Sequence, residues 1–296
     1  MTITERNAST TIVVDPVTPQ IGADVTGVDL ASDLSPEVVE VLRAALDQHL
    51  VLFFHDQQLS PAAHVAVGRC FGTLHAHPYG KNLGPEHPEI FVLDYEAANT
   101  QTVYWHADVT WEPIPPMGSV LRAVDLPRVG GDTLWASMYG AYDALSPAMK
   151  EFVNSLTAVH SSAKTYVRYA ERGLGRPDAK TEMSTAVHPV VVVHPRTGRR
   201  ALFVNQQWTE RIVELNAQES DDLLATLFAL VDSPCGQVRH RWSSGDVAIW
   251  DNLATQHFVA GGYEGGRLMH RVTMNGTAPR GVPQPTAIAG EQEGCS

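Results

Sequence analysis

Residues 105 to 111 read Trp-His-Ala-Asp-Val-Thr-Trp, with His106 and Asp108 two apart. In an extended segment, residues i and i+2 project from the same side, so this spacing sets an imidazole beside a carboxylate. A second imidazole, His257, stands far downstream. Two imidazoles and one carboxylate on one face of a divalent cation leave the opposite positions open. Non-haem Fe(II) sites that admit a co-substrate and oxygen use this ligand set. An H-x-D pair alone is a weak signal in a chain with 13 histidines. The residues after His257 strengthen it.

The run Arg267-Leu268-Met269-His270-Arg271-Val272-Thr273-Met274 alternates like a half-buried strand. Arg267, Met269, Arg271 and Thr273 share one face; Leu268, His270 and Val272 share the other. At about 3.3 Å per residue the two arginines sit about 13 Å apart. One carboxylate does not easily bridge that gap, but two anions can each take one guanidinium through paired hydrogen bonds. Asp251, in Ile-Trp-Asp-Asn, reads equally as an acceptor that orients a ligand-bearing loop or as a turn residue.

Over most of its length, from about Ile21 to about Gly276, the chain resembles the taurine dioxygenase family of Fe(II)- and 2-oxoglutarate-dependent oxygenases. The resemblance is carried in order by IGADVTGVDL, LVLFFHDQQLSP, FGTLHAHP, WHADVTW, GGDTLWASMYGAYDALSP, HPVVVVHPRTGRRALFVN, GDVAIWDNLATQHF and RLMHRVT. It implies Fe(II) held by His106, Asp108 and His257, and 2-oxoglutarate as co-substrate with its distal carboxylate on Arg267 and Thr133. It implies a substrate anion held by Arg271, His77 and the backbone N–H of Val109, in a pocket lined by Trp111 and Trp208. The reaction implied is hydroxylation of a small organic anion with O2, giving succinate and CO2. If the hydroxylated carbon bears a sulfonate, an aldehyde and sulfite follow. Thr102 stands where the family has an asparagine that contacts the substrate amine, and Ser162 replaces a pocket phenylalanine. A pocket tyrosine is shifted, Tyr79 being the nearest. The anion end of a taurine site is thus legible and the amine end is not. An alkyl sulfate ester, a longer alkanesulfonate or an aryloxyalkanoate stay open beside taurine. Two other classes stay open as well: a zinc hydrolase on the same three ligands, and a binding protein that has kept the fold.

The elements that must position these residues are mostly strands. Segments rich in β-branched and aromatic residues fall near Leu50–Phe54, Ile90–Asp94, Ser119–Asp125, Asp132–Ala136, Val187–His194, Ala201–Asn205, Gln237–Trp242, Asp246–Trp250 and Arg267–Met274. Ser243-Ser244-Gly245 reads as a hairpin turn between two of them. Ser-Pro pairs at Ser35, Ser60 and Ser146 mark three helix starts, since serine caps free N–H groups and proline suits the first helical position. A fourth helix is expected from about Ala217. The pattern is mainly β with flanking helices, a sandwich or jelly roll. The resemblance implies the double-stranded β-helix form. Residues 12–276 are expected to form a single dioxygenase domain, between a frayed N-terminus through Thr11 and a loose tail from Thr277. The polar stretch from Ser161 to Thr185 reads as a lid or binding loop.

Composition narrows the partners. A net charge of −12 argues against general nucleic-acid binding, which needs a basic face. It does not argue against a small anion met by local arginines. No apolar run approaches a membrane span. Cys70, Cys235 and Cys295 are odd in number and scattered, forming neither a CxxC site nor a disulfide framework. With no leader pattern at the N-terminus, a reducing cytoplasm is expected, and the assembly is expected to be a homo-oligomer.

Overall fold

A computed structural model of the chain describes residues 5–7, 10–75, 81–95, 104–163 and 183–283. Each Ser-Pro pair opens a helix. Ser35, Ser60 and Ser146 accept from backbone N–H groups at the starts of Pro36–His49, Pro61–Phe71 and Pro147–Val153. The helix Ala217–Ala229 begins with a reciprocal capping box between Asn216 and Glu219. A short helix without a Ser-Pro signal, Met138–Asp143, is capped by Ser137.

Nine strands form the larger sheet. Seven run across it in the order Glu5–Asn7, Thr10–Pro16, Ala23–Thr26, Val51–Phe54, Val247–Asp251, Gly118–Asp125 and Arg267–Met274. Along its free side, Arg267–Met274 pairs with Ile90–Tyr95 and then with Leu74–His75. Gln237–His240, Thr133–Ser137 and Thr255–Val259 form a second sheet in that order. Trp135 stands between the two sheets, fully buried, its ring 5.6 Å from Phe53 and 5.9 Å from Trp250. Leu121, Ala123, Ala248 and Met269 of the large sheet join the same core. On the outer face of the large sheet, Leu42, Leu46, Val67 and Phe71 of the first two helices cover Val25, Leu52, Phe54 and Ile249. A third sheet, Thr185–Pro189, Thr157–Ser161 and Thr209–Ile212, carries the polar groups that reach the site.

Four expectations change. Ser243-Ser244-Gly245 is a crossover rather than a hairpin, because Gln237–His240 and Val247–Asp251 lie in different sheets. The Asp246 carboxylate holds this corner, taking the Ser243 N–H at 2.8 Å and facing His240 Nε2 at 2.9 Å. The span Val187–His194 splits at Val190. Thr185–Pro189 pairs with Thr157–Ser161, and Val191–Val193 pairs with Arg200–Leu202. Glu5–Asn7, placed in the frayed terminus, pairs antiparallel with Thr10–Ile12. The start of the expected loose tail is tied down, since the Val193 N–H donates to Arg280 O at 2.8 Å. Residues 164–182, most of the expected lid, lie outside the described residues. No helix among the described residues is long and apolar enough to cross a membrane.

Trp135 is the packing link between the two sheets. Trp135→Ala should cost about 3–5 kcal/mol of stability, read from urea unfolding. A loss below about 1 kcal/mol would show that the sheets do not depend on it.

Candidate active site

His257 lies at the centre of Thr255–Val259, opposite Trp135 of the neighbouring strand. On its other side, His106 and His257 form a two-way backbone bridge. The His106 N–H donates to His257 O at 3.1 Å, and the His257 N–H donates to His106 O at 2.8 Å. That register brings together two imidazoles far apart in sequence, with ring centroids 4.3 Å apart and the rings tilted by 43°. Extended backbone ends near His106, and Asp108 already lies in a turn. The carboxylate therefore reaches the imidazoles through a turn, not through strand alternation. Asn252 fixes that turn. Its Oδ1 accepts the Asp108 N–H at 2.7 Å, and its Nδ2 donates to Asp108 O at 3.0 Å.

The donor atoms of His106, Asp108 and His257 lie within 4.8 Å of one another, all on buried residues. Both Nε2 atoms face the same carboxylate oxygen, with Asp108 Oδ1 3.7 Å from His106 and 3.9 Å from His257. His106 Nδ1 donates to Tyr104 O at 3.1 Å, which leaves the Nε2 lone pair for a cation. Burial pushes both imidazoles toward the neutral form, His257 to about 3, with the charges of neighbouring His106 and Arg271 acting the same way on it. Burial alone would raise Asp108. The Arg271 guanidinium, with Nη1 2.8 Å from Oδ2, acts against it together with His257 and His106, and the sum holds the carboxylate well below the usual carboxylate range. One anionic oxygen and two neutral nitrogens are the protonation state that a divalent cation requires. The donor set therefore fits such an ion, with Oδ1 left to it and Oδ2 taken by Arg271.

Arg271 also lies 5.2 Å from the Phe91 ring, and its Nε is buried without a hydrogen-bond partner. On the same strand face Arg267 is wholly buried. Its Nε donates to Gly131 O at 3.1 Å and its Nη2 to Thr133 Oγ1 at 3.3 Å. Trp242 Nε1 also donates to that threonine, at 2.9 Å. Gly131, at φ +73°, lets the backbone approach, since a Cβ there would stand 3.2 Å from Arg267 Cδ. Val109, Trp111 and Trp208 pack as one buried apolar cluster beside the turn, and Trp208 Nε1 donates to Ala107 O at 3.0 Å.

The structure thus brings together His106, Asp108, His257 and Arg271, and separately Arg267 and Thr133, with Val109 beside Asp108. His77, Thr102 and Tyr79 lie outside the described residues. The Ser162 hydroxyl is engaged with the backbone of Ser184 in both directions, at 3.1 and 3.3 Å. Asp251 fills both roles left open for it. Its carboxylate accepts from the N–H groups of Leu253 and Ala254 and pairs with His194 at 2.8 Å, turning the chain into the strand that carries His257. Sequence reasoning missed Asn252. Its only signal is its place after Asp251, and an asparagine in a turn needs no ligand-loop partner.

Comparison with known proteins agrees with this geometry. The family described as "Taurine catabolism dioxygenase TauD, TfdA family" matches residues 14–273. An alpha-ketoglutarate-dependent sulfate ester dioxygenase of Pseudomonas putida is 37% identical, over 91% of both chains. An alkylsulfatase of Acinetobacter baylyi is 34% identical, over 95% of this chain and 90% of its own. The crystal structure of a taurine dioxygenase from Burkholderia xenovorans superposes with a TM-score of 0.77 at 35% identity, covering 91% of both chains. Fold and site together define a 2-oxoglutarate-dependent dioxygenase. The chain belongs to the TauD, TfdA family.

The neutral imidazoles fix a pH dependence. Folded His257 has its pKa depressed to about 3, and buried His64, on the outer face of the large sheet, to about 4. The unfolded chain, at about 6.5, binds the extra protons first. Their contribution to stability is full above about pH 6.5 and is lost as pH falls toward 4 and 3. Urea midpoints of the metal-free protein should drop steadily from pH 7 to pH 4. A flat profile would mean that these imidazoles are protonated in the folded protein.

Proposed function

We propose that the chain is a single dioxygenase domain, residues 12–276, of the double-stranded β-helix type. In this reading it holds Fe(II) on His106 Nε2, His257 Nε2 and Asp108 Oδ1. It uses 2-oxoglutarate to hydroxylate a small sulfonate with an apolar tail, in a reducing cytoplasm. The observation that carries the reading is the convergence of those three donors beside two buried arginines on one strand face. Bound iron supplies the oxygen chemistry by which 2-oxoglutarate yields succinate and CO2 while a substrate C–H becomes C–OH.

The residues of the chain supply position and charge. Arg267 and Thr133 offer a fixed cation and a hydroxyl for the distal carboxylate of the co-substrate. The planar guanidinium fork matches a carboxylate through paired hydrogen bonds, so this site suits a dicarboxylic partner. Arg271 keeps the Asp108 carboxylate turned toward the imidazoles and has a buried Nε left to donate. That donor suits the substrate anion, assisted by the Val109 N–H and His77. Val109, Trp111 and Trp208 supply an apolar wall. An ammonium group packed against that wall would lose its hydration uncompensated. A hydroxylated carbon that bears a sulfonate collapses to an aldehyde and sulfite.

A second reading, oxidation of an alkyl sulfate ester, is favoured by the apolar wall and by the names of the two relatives reported above. The chemistry is the same, with sulfate leaving in place of sulfite.

Two experiments test the proposal. Under Fe(II), 2-oxoglutarate and O2, succinate should form with alkanesulfonates or alkyl sulfates at least as fast as with taurine. A clear preference for taurine would contradict the apolar-tail reading, and an absence of succinate with every anion would contradict the proposal as a whole. Arg267→Ala should raise the 2-oxoglutarate requirement by a factor equivalent to roughly 3–5 kcal/mol while Mn(II) binding persists. Arg271→Ala should weaken every accepted anion instead. Exchanged phenotypes would reverse the assignment of the two arginines.

A further inference from the structure

Among the described residues, Val109 is the one β-branched residue with left-handed backbone, at φ 56°. The other two non-glycine residues there, Leu50 and Asp56, have local reasons. Leu50 caps the helix Pro36–His49, its N–H bonded to Leu46 O, and Asp56 sits in the bend after Val51–Phe54. Val109 stands between Asp108 and Thr110 in the turn beside the two imidazoles. A β-branched side chain resists this conformation, so surrounding contacts must impose it.

Two clamps do so. Before Val109, Asn252 grips both backbone groups of Asp108, and Trp208 holds Ala107 O. After Val109, Thr110 is the hub of a buried polar network. Asn205 Oδ1 accepts the Trp208 N–H at 2.9 Å, which leaves Asn205 Nδ2 to donate to Thr110 Oγ1 at 3.2 Å. The Thr110 hydroxyl also shares a hydrogen bond with His160 Nδ1, 2.9 Å away. His160 Nε2 faces Thr209 Oγ1 at 3.5 Å. Thr110 O accepts from His188 Nε2 at 2.9 Å, and the same nitrogen donates to Glu112 O at 3.0 Å. Thr110, His160, His188, Asn205 and Thr209 are all buried. The network ties the residue after Val109 to the third sheet through both its hydroxyl and its carbonyl.

We infer that Thr110, with Asn205 and His160, is a positioning group that forces Val109 into the left-handed conformation and so aims the Asp108 carboxylate at the two imidazoles. The inference rests on the reading that Asp108 is a metal ligand. It gives the third sheet a role in the reaction, because His160 and His188 belong to its strands Thr157–Ser161 and Thr185–Pro189.

The test is Mn(II) binding by anaerobic calorimetry on the full chain, with circular dichroism confirming the fold of each variant. Asp108→Ala should abolish binding. Thr110→Val, nearly the same size but without the hydroxyl, should weaken it about 10–100-fold, the range seen when the partners of metal ligands are removed. Thr110→Ser should bind nearly as the wild type does. Val109→Gly placed in the Thr110→Val background should restore most of the lost affinity, because glycine takes the left-handed conformation without a steric cost. A merely structural role for Thr110 would not be relieved at residue 109. If Thr110→Val does not fold, Asn205→Ala with and without Val109→Gly carries the same comparison. Wild-type affinity in the hydroxyl variant, or failure of the glycine to suppress its loss, overturns the inference. Wild-type binding by Asp108→Ala would instead overturn the metal reading itself.

Discussion

The two-way backbone bridge between His106 and His257 is the constraint on which the site depends. Two hydrogen bonds set the register between a strand of the smaller sheet and a segment that otherwise has no regular pairing. A slip of one residue would turn one imidazole to the opposite face. The register is protected from both sides. Trp135, opposite His257 on the neighbouring strand, is locked in the core between the sheets. The Asp251 carboxylate fixes the turn that leads into Thr255–Val259. The outer helices matter to the chemistry only indirectly, by covering the far face of the sheet whose inner face carries the arginines.

Charge imposes the second constraint. Asp108, Arg267 and Arg271 are all buried, and an unpaired buried charge costs several kcal/mol. Arg271 and Asp108 compensate each other at 2.8 Å, which divides the carboxylate into one oxygen held by the protein and one facing the imidazoles. Arg267 donates to the Gly131 carbonyl and to the Thr133 hydroxyl. The strand Arg267–Met274 thus presents two buried guanidinium groups with different partners.

Much of this was legible in the sequence because it was local. The alternation of Arg267–Met274 gave its bounds, its faces and the pairing of its arginines with one side. The Ser-Pro pairs gave three helix starts. The ligand types were visible at His106 and Asp108, but the turn that joins them was not, because nothing in a Val-Thr pair announces left-handed backbone. The five-residue strand around His257 is too short and too polar to stand out. The turn at Ser243–Gly245 has hairpin composition, and local composition does not say which sheet each flanking strand joins. Thr110, His160, His188 and Asn205 are isolated polar residues in sequence, and only the fold makes them one network.

The most direct measurement is a crystal structure of the protein grown anaerobically with Mn(II) and 2-oxoglutarate. The account requires one ion bound by His106 Nε2, His257 Nε2 and Asp108 Oδ1, with Arg271 still on Oδ2. It also requires the distal carboxylate of the co-substrate on Arg267 and Thr133. An ion bound through other residues, or a co-substrate carboxylate seated on Arg271 while Arg267 keeps its present partners, would contradict it.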